Sequence, residues 1–128
     1  MIFLDSTFIL ALMFEDQKKH ERAKEIYKLI ANETKNINNT ILMEILNSIK
    51  PHYQLDSTKI LNILLNVGEV HFLTEEEYVV AEKMFKYYNY ALNYQDCMIL
   101  KTMQNFQTNR IATFDSGFKK INGLNIIE

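Results

Sequence analysis

Residues 1–14 read Met1-Ile2-Phe3-Leu4-Asp5-Ser6-Thr7-Phe8-Ile9-Leu10-Ala11-Leu12-Met13-Phe14, and the fold turns on where this run changes character. Residues 1–4 are an unbroken apolar run closed by Asp5. A strand covered by helices on both sides reads this way, because neither of its faces meets water. Residues 6–14 then read as a helix. An acid standing where a buried strand gives way to a helix lies at the edge of a sheet, where open α/β folds place their ligands.

Moving outward, Ala23, Ile26, Tyr27 and Ile30 recur at i, i+3, i+4 and i+7, with charged residues on the remaining face, which predicts a surface helix over 18–32. The Asn-rich stretch 36–39 is read as a strand mainly because a helix bearing Ile41, Leu42, Ile45, Leu46 and Ile49 follows at once and stops before Pro51. After a loop through Tyr53, Asp56 or Ser57 caps a helix carrying Ile60, Leu61, Leu64 and Leu65, and Gly68 suits the position just past its end. Residues 70–73 read as a strand. Thr74 and Glu77 form the Thr-x-x-Glu box of a helix whose inner stripe is Val80, Ala81, Met84, Phe85 and Tyr88. A further helix spans about 94–106, and strands at 110–114 and 124–127 are separated by a helical turn near 116–120. Strands alternating with helices over short connections indicate an α/β domain with a parallel sheet of four to five strands.

The 128 residues suit one domain, 1–128. With 48% apolar and 23% charged residues, three Gly and one Pro, the chain is neither disordered nor a loop-rich disulfide scaffold. The lone Cys97 makes no internal bridge and fits a reducing compartment, and His20, His52 and His71 are too scattered for a zinc site. The apolar run 8–14 is too short for a bilayer and has no basic leader, so a cytoplasmic protein without membrane attachment is expected. Fourteen basic against sixteen acidic residues give a net charge of −2. That excludes a broad basic face but not an enzyme that grips nucleic acid locally.

Four acids stand where packing alone would not put them. Asp5 and Asp115 each follow a strand. Asp96 lies three, four and seven residues before Ile99, Leu100 and Met103, on the apolar stripe of its helix. Glu44 shares a narrow polar edge with Thr40, Asn47 and Ser48 on a helix otherwise rich in Ile and Leu. Each has a plainer reading. Asp5 and Asp115 can be N-caps, Asp96 the last member of an Asn93-x-x-Asp96 box, and Glu44 an exposed helix residue. Taken together, ionised carboxylates converging without Lys or Arg partners repel one another and persist when a cation binds them. Hard oxygen donors without soft ones point to Mg²⁺ or Mn²⁺.

Leu4-Asp5-Ser6-Thr7, Met43-Glu44-Ile45, Tyr94-Gln95-Asp96-Cys97 and Ala112-Thr113-Phe114-Asp115 with Phe118, at acid separations of 39, 52 and 19, resemble the PIN-domain nucleases, in particular the small VapC-type toxins. The resemblance runs over essentially the whole chain. It implies a three-layer α/β/α domain with strand order 3-2-1-4-5, and a metal-dependent endoribonuclease acting on RNA as the toxin of a type II toxin–antitoxin pair. It also implies metal-site acids at Asp5, Glu44 and Asp96 with Asp115 as a fourth, and Ser6 and Thr113 as positions that hydrogen-bond the acids or a metal-bound water. Many relatives carry another acid two residues after the fourth, where this chain has Gly117, which weakens any second metal site. An antitoxin partner is implied by the resemblance; a homodimer is expected partly from it and partly from the segment 60–67, apolar on more than one side.

Other readings meet the same residues. A haloacid-dehalogenase-like phosphatase needs Asp-x-Asp after the first strand, and position 7 is Thr; a receiver domain needs a phosphoacceptor Asp where Leu73 and Thr74 stand. Gly68, Gly117 and Gly123 supply no dinucleotide-binding turn. The rival of a different class is a catalytically silent PIN-fold module that binds protein or RNA and keeps its acids as caps. Arg110, Lys119 and Lys120 are read either as substrate-positioning or as merely solvated, and the Tyr87, Tyr88, Tyr90 and Tyr94 group as base-stacking or as core, Tyr88 foremost.

Overall fold

The computed structural model describes residues 1–50 and 54–128, so the expected loop through Tyr53, with Pro51 and His52, lies outside the described residues. Five parallel strands form one sheet: β1 (Ile2–Leu4), β2 (Lys35–Asn38), β3 (Glu69–His71), β4 (Arg110–Ala112) and β5 (Asn125–Ile127), in the order β3-β2-β1-β4-β5. This is the order the resemblance implied. Strand β1 is buried along its whole length because β2 and β4 flank it and helices cover it on both sides.

Six helices are described: α1 (Ser6–Met13), α2 (His20–Leu29), α3 (Asn39–Asn47), α4 (Ser57–Asn66), α5 (Glu75–Tyr87) and α6 (Tyr94–Asn105). Helix α1 packs on α2 and α3, and α3 on α4; α5 packs on α6, which lies against β2. Right-handed crossovers put these two groups on opposite faces of the sheet, giving three layers. Among the described residues no helix is long and apolar enough to cross a membrane.

The Asn-rich stretch forms a strand at 35–38 rather than 36–39, with Asn39 already opening α3, and two of its asparagines bond across the fold. Asn38 caps α3, its side chain accepting from the N–H groups of Thr40 (3.1 Å) and Ile41 (3.3 Å) while Nδ2 donates to the Thr102 hydroxyl on α6 (3.0 Å). The Asn39 side-chain oxygen accepts from Leu73 N–H (3.0 Å), so β3 ends at His71, short of the expected 73. Asn36 is fully buried, and among the described residues neither of its amide atoms meets a hydrogen-bond partner that would offset its desolvation.

Both boxes read from the sequence form: Thr74 with Glu77 at the start of α5, and Asn93 with Asp96 at the start of α6. Strand β4 stops at Ala112 rather than 114: Thr113 N–H still donates to the Ile127 carbonyl (3.2 Å), but the donors after it are taken by hydroxyls, Phe114 N–H donating to Thr7 and Asp115 N–H to Thr113, each at 3.0 Å. Gly68 follows α4 as expected but not for left-handed freedom, which among the glycines only Gly123 shows (φ +87°). It is needed because a Cβ there would lie 2.0 Å from the Lys35 carbonyl oxygen. Gly68→Ala forces β2 and the α4–β3 connection apart, and a loss of about 1–3 kcal/mol in chemical denaturation is expected; a change within about 0.5 kcal/mol, the range of an ordinary surface substitution, would show that this approach is not a constraint.

Candidate active site

Pairing of β1 with β4 (Phe3 beside Ile111, Leu4 beside Ala112) puts the ends of the two strands side by side, and Asp5 N–H donates to the Ala112 carbonyl at 3.0 Å. Crossovers leave β1 towards one edge of the sheet and arrive at β4 from the other, so a crevice opens here. Asp5 is buried, at 4% exposure. Although it stands at the N-cap of α1, its carboxylate caps nothing. Its Oδ2 instead accepts from the hydroxyls of Thr7 and Thr113, both at 2.7 Å. Each hydroxyl in turn accepts a backbone N–H from the 114–115 turn, so both threonines are saturated and aimed.

Thr113 is thus placed as a direct hydrogen-bond partner of Asp5. Ser6 supports Asp5 through its backbone N–H, while among the described residues its hydroxyl bonds none of the acids. The α1 hydroxyl that does bond Asp5 belongs to Thr7. Thr7 is the second residue of α1, and its side chain turns back to the Asp5 carboxylate. An Asp-x-Thr spacing was thus the available signal.

Glu44, half-buried on α3, accepts from Gln95 Nε2 on α6 at 2.7 Å, and the same amide reaches Thr40 Oγ1 at 3.4 Å. Gln95 was not singled out from the sequence as a site residue. Asp96 is buried on α6 at 8% exposure; it accepts from Asn93 N–H (3.3 Å), while its own N–H donates to Asn93 Oδ1 (2.8 Å). Both sequence readings of Asp96 hold at once, since it faces inward and closes a capping box. Asp115, half-buried, caps the 3₁₀ turn Ser116–Lys120 by accepting from Gly117 N–H at 2.8 Å.

The four acids share one electrostatic field. Burial pushes Asp96 up to about 6, against its hydrogen bond from Asn93 N–H, and repulsion from Asp115, Asp5 and Glu44 adds to it. Burial also raises Asp5, opposed by the bonds from Thr113, Thr7 and Ser6 and helped by Glu44. Among the described residues none of the four is ion-paired. Their donors are all hard oxygens, which suits Mg²⁺ or Mn²⁺ in kind. As they stand, however, no three carboxylate, imidazole or thiol groups among the described residues are close enough to hold one ion. The site fits a divalent cation in charge and donor type without forming a closed cage.

Of the cations considered from the sequence, Arg110 is at the far end of the sheet, at the start of β4, with Nε and Nη2 bonded to both Glu33 oxygens (2.8 and 3.0 Å). Lys120 donates to the Ala91 carbonyl, and Lys119 pairs with Glu128. Tyr88 is half-buried against the core, whereas Tyr87 and Tyr90 are exposed. Cys97 is buried, His20 bonds the Ala11 carbonyl and His71 pairs with Glu77.

The PIN domain family model matches residues 2–124. Among solved structures, Mycobacterium tuberculosis VapC20, a sarcin–ricin loop cleaving toxin, has a TM-score of 0.82 at 18% identity over 98% of this chain and 97% of that one. A toxin–antitoxin complex from Klebsiella pneumoniae has a TM-score of 0.73 at 16% identity, covering 100% and 97%. VapBC2 from Rickettsia felis, bound to a DNA fragment from its promoter, has a TM-score of 0.67 at 19% identity, covering 99% and 98%. At these identities the likeness is one of fold. No curated protein matches the sequence.

The raised Asp96 makes stability depend on pH in a stated direction. An unfolded aspartate releases its proton near 3.9 and the folded one near 6, so between these values the folded state holds more protons and stability falls as pH rises. In chelating buffer the melting temperature of Asp96→Asn relative to wild type is therefore expected to climb between about pH 5 and pH 7. An equal difference at both would return Asp96 to an ordinary carboxylate.

Proposed function

The chain belongs to the PIN domain family, and from that premise we propose that it is a divalent-metal-dependent endoribonuclease and the toxin of a type II toxin–antitoxin pair. The observation that carries the reading is the gathering of Asp5, Glu44, Asp96 and Asp115 at the β1/β4 crevice without an ion-paired partner among the described residues, at a cost visible in the raised Asp96. RNA as substrate class, and an antitoxin as partner, are supported by the fold shared with a sarcin–ricin loop cleaving toxin and with toxin–antitoxin complexes.

Asp5 and Asp96 are assigned as the principal ligands of Mg²⁺ or Mn²⁺, with Glu44 and Asp115 completing the site or orienting the attacking water. What the cation supplies when bound is Lewis-acid polarisation and charge neutralisation of the scissile phosphodiester. The chain's own part is to place oxygens. Thr7 and Thr113 lock the Asp5 carboxylate by its Oδ2, the Asn93 N–H holds one oxygen of Asp96, and Gln95 ties Glu44 on α3 to α6. Burial of Asp5 and Asp96 removes competing water, so each carboxylate acts in a less polar medium. We assign the whole span 1–128 to this one nuclease domain, and the cytoplasm as its place of action, in keeping with the buried, unpaired Cys97.

A second reading, a catalytically silent PIN-fold module binding protein or RNA, is favoured by two observations. Asp96 and Asp115 both serve as caps, and no three acids among the described residues meet around one point. Metal binding separates the two.

Mn²⁺ or Mg²⁺ is expected to raise the melting temperature, with about 2.7 kcal/mol of linkage at 100 times the dissociation constant, and Asp5→Asn or Asp96→Asn to abolish most of that shift. RNA cleavage is expected only with the cation, falling by orders of magnitude in Asp96→Asn while circular dichroism stays unchanged. Cleavage by Asp96→Asn equal to wild type at matched Mg²⁺ would defeat the mechanism. A homodimer is proposed from Ile63 and Leu65 on α4, which stay 55% and 41% exposed; sedimentation is expected to show a concentration-dependent dimer, and a monomer at all concentrations would count against it.

A further inference from the structure

Beside the four acids lies a cleft whose electrostatics are opposite. One part, of about 450 Å³, is lined by Thr7, Phe114, Lys18 and Lys19 among others. A second, of about 570 Å³, continues past the same Lys19 and Phe114 to Arg22, Ser116, Lys119 and Glu128. The two share a wall and start at the site itself, since Thr7 bonds Asp5 and Phe114 sits between Thr113 and Asp115.

Four cations thus gather along one track in a chain of net charge −2. Lys18 and Lys19 have no carboxylate partner among the described residues; the Lys19 ammonium rests 5.9 Å from the centre of the Phe114 ring. Arg22 and Lys119 are engaged by one residue: Lys119 Nζ meets Glu128 Oε1 at 3.0 Å, and Arg22 Nε and Nη2 donate to the Glu128 backbone oxygen at 3.2 and 2.9 Å. Arg22 also pairs with Glu25, and Asp16 lines the first part of the cleft, so the track is positive without being uniformly so.

We propose that this cleft, from Lys18 and Lys19 to Arg22 and Lys119, seats successive phosphates of a single-stranded RNA on its way to the carboxylates, and that Glu128 holds the Arg22–Lys119 seat until a phosphate displaces it. The proposal rests on the nuclease reading and adds to it the direction of the strand's approach. Phosphates rather than bases are assigned as the ligand, because the residues lining the cleft include four cations and, as the single aromatic ring among them, the half-buried Phe114 with the Lys19 ammonium 5.9 Å from its centre. Flexible ammonium groups act as point charges that position a backbone and read no sequence. The track therefore adds affinity and register while leaving site preference to other contacts.

The test is binding of a fluorescent single-stranded RNA oligonucleotide in EDTA, where no hydrolysis competes, across a salt titration. Lys19→Gln and Lys119→Gln are each expected to reduce the slope of log affinity against log salt by about 0.7, the value of one single-strand phosphate contact. Glu128→Gln is expected to bind more tightly than wild type. Lys83→Gln, the same charge change on α5, is expected to leave the slope alone. Unchanged slopes in both cleft variants, an equal loss in Lys83→Gln, or no salt-dependent binding by wild type would each overturn the track. Failure of the nuclease reading shows differently, as intact, cleft-dependent binding with no cleavage when Mn²⁺ is added.

Discussion

The site depends on one buried carboxylate and the two hydroxyls that hold it. Asp5 leaves β1 where the ladder to β4 ends, and its Oδ2 is met by Thr7 from α1 and Thr113 from the end of β4. Those hydroxyls also accept the N–H groups that would otherwise have extended β4. A single small network thus ends the strand, turns the chain towards Asp115 and fixes the orientation of Asp5. Removing either hydroxyl would take one of the two donors from the buried Asp5 Oδ2 and at the same time leave a backbone N–H without its acceptor, which is why the network behaves as a unit rather than as separate bonds.

The other acids are placed by the same economy, using groups that local structure requires anyway. Asp96 closes the box that starts α6, and Asp115 caps the turn after β4. Caps prefer carboxylates at helix starts because the free N–H groups and the helix dipole favour negative charge there. Two helix starts opening on one sheet edge therefore bring two acids to the same crevice without any further device. Glu44, like Asp5, does not act through a cap and has a side-chain partner of its own, Gln95, which also ties the helix layers together across the crevice.

This explains what was legible in the sequence. Asp5 and Asp115 could be placed because a strand followed by an acid needs no tertiary information, and Asp96 because a charge on an apolar stripe is conspicuous. Gln95 was not, because its role depends on α3 and α6 meeting, which no local pattern encodes. The part played by Thr7 was not legible either, because it depends on β4 delivering Thr113 and the 114–115 turn beside the start of α1. Gly68 was placed by its position after α4, but the reason it must be glycine, the approach of the Lys35 carbonyl, lies 33 positions earlier in the chain. Asn36 remains without a physical account, since its neighbours in the Asn run are each used and it is not.

Capping and charge repulsion pull Asp96 in opposite directions, and the balance bears on function. The Asn93 N–H favours its ionised form, yet burial beside three other acids raises it to about 6. At neutral pH the group is therefore ionised in a place that resists ionisation, and the fold carries the strain. A purely structural cap gains nothing from such surroundings, because an Asn or Ser in the same box would satisfy the same donors without repulsion. A cation entering the crevice reverses the sign of the field and turns the same repulsion into attraction. The arrangement thus trades stability of the empty site for affinity towards a positive charge, which is more than the capping roles of Asp96 and Asp115 require.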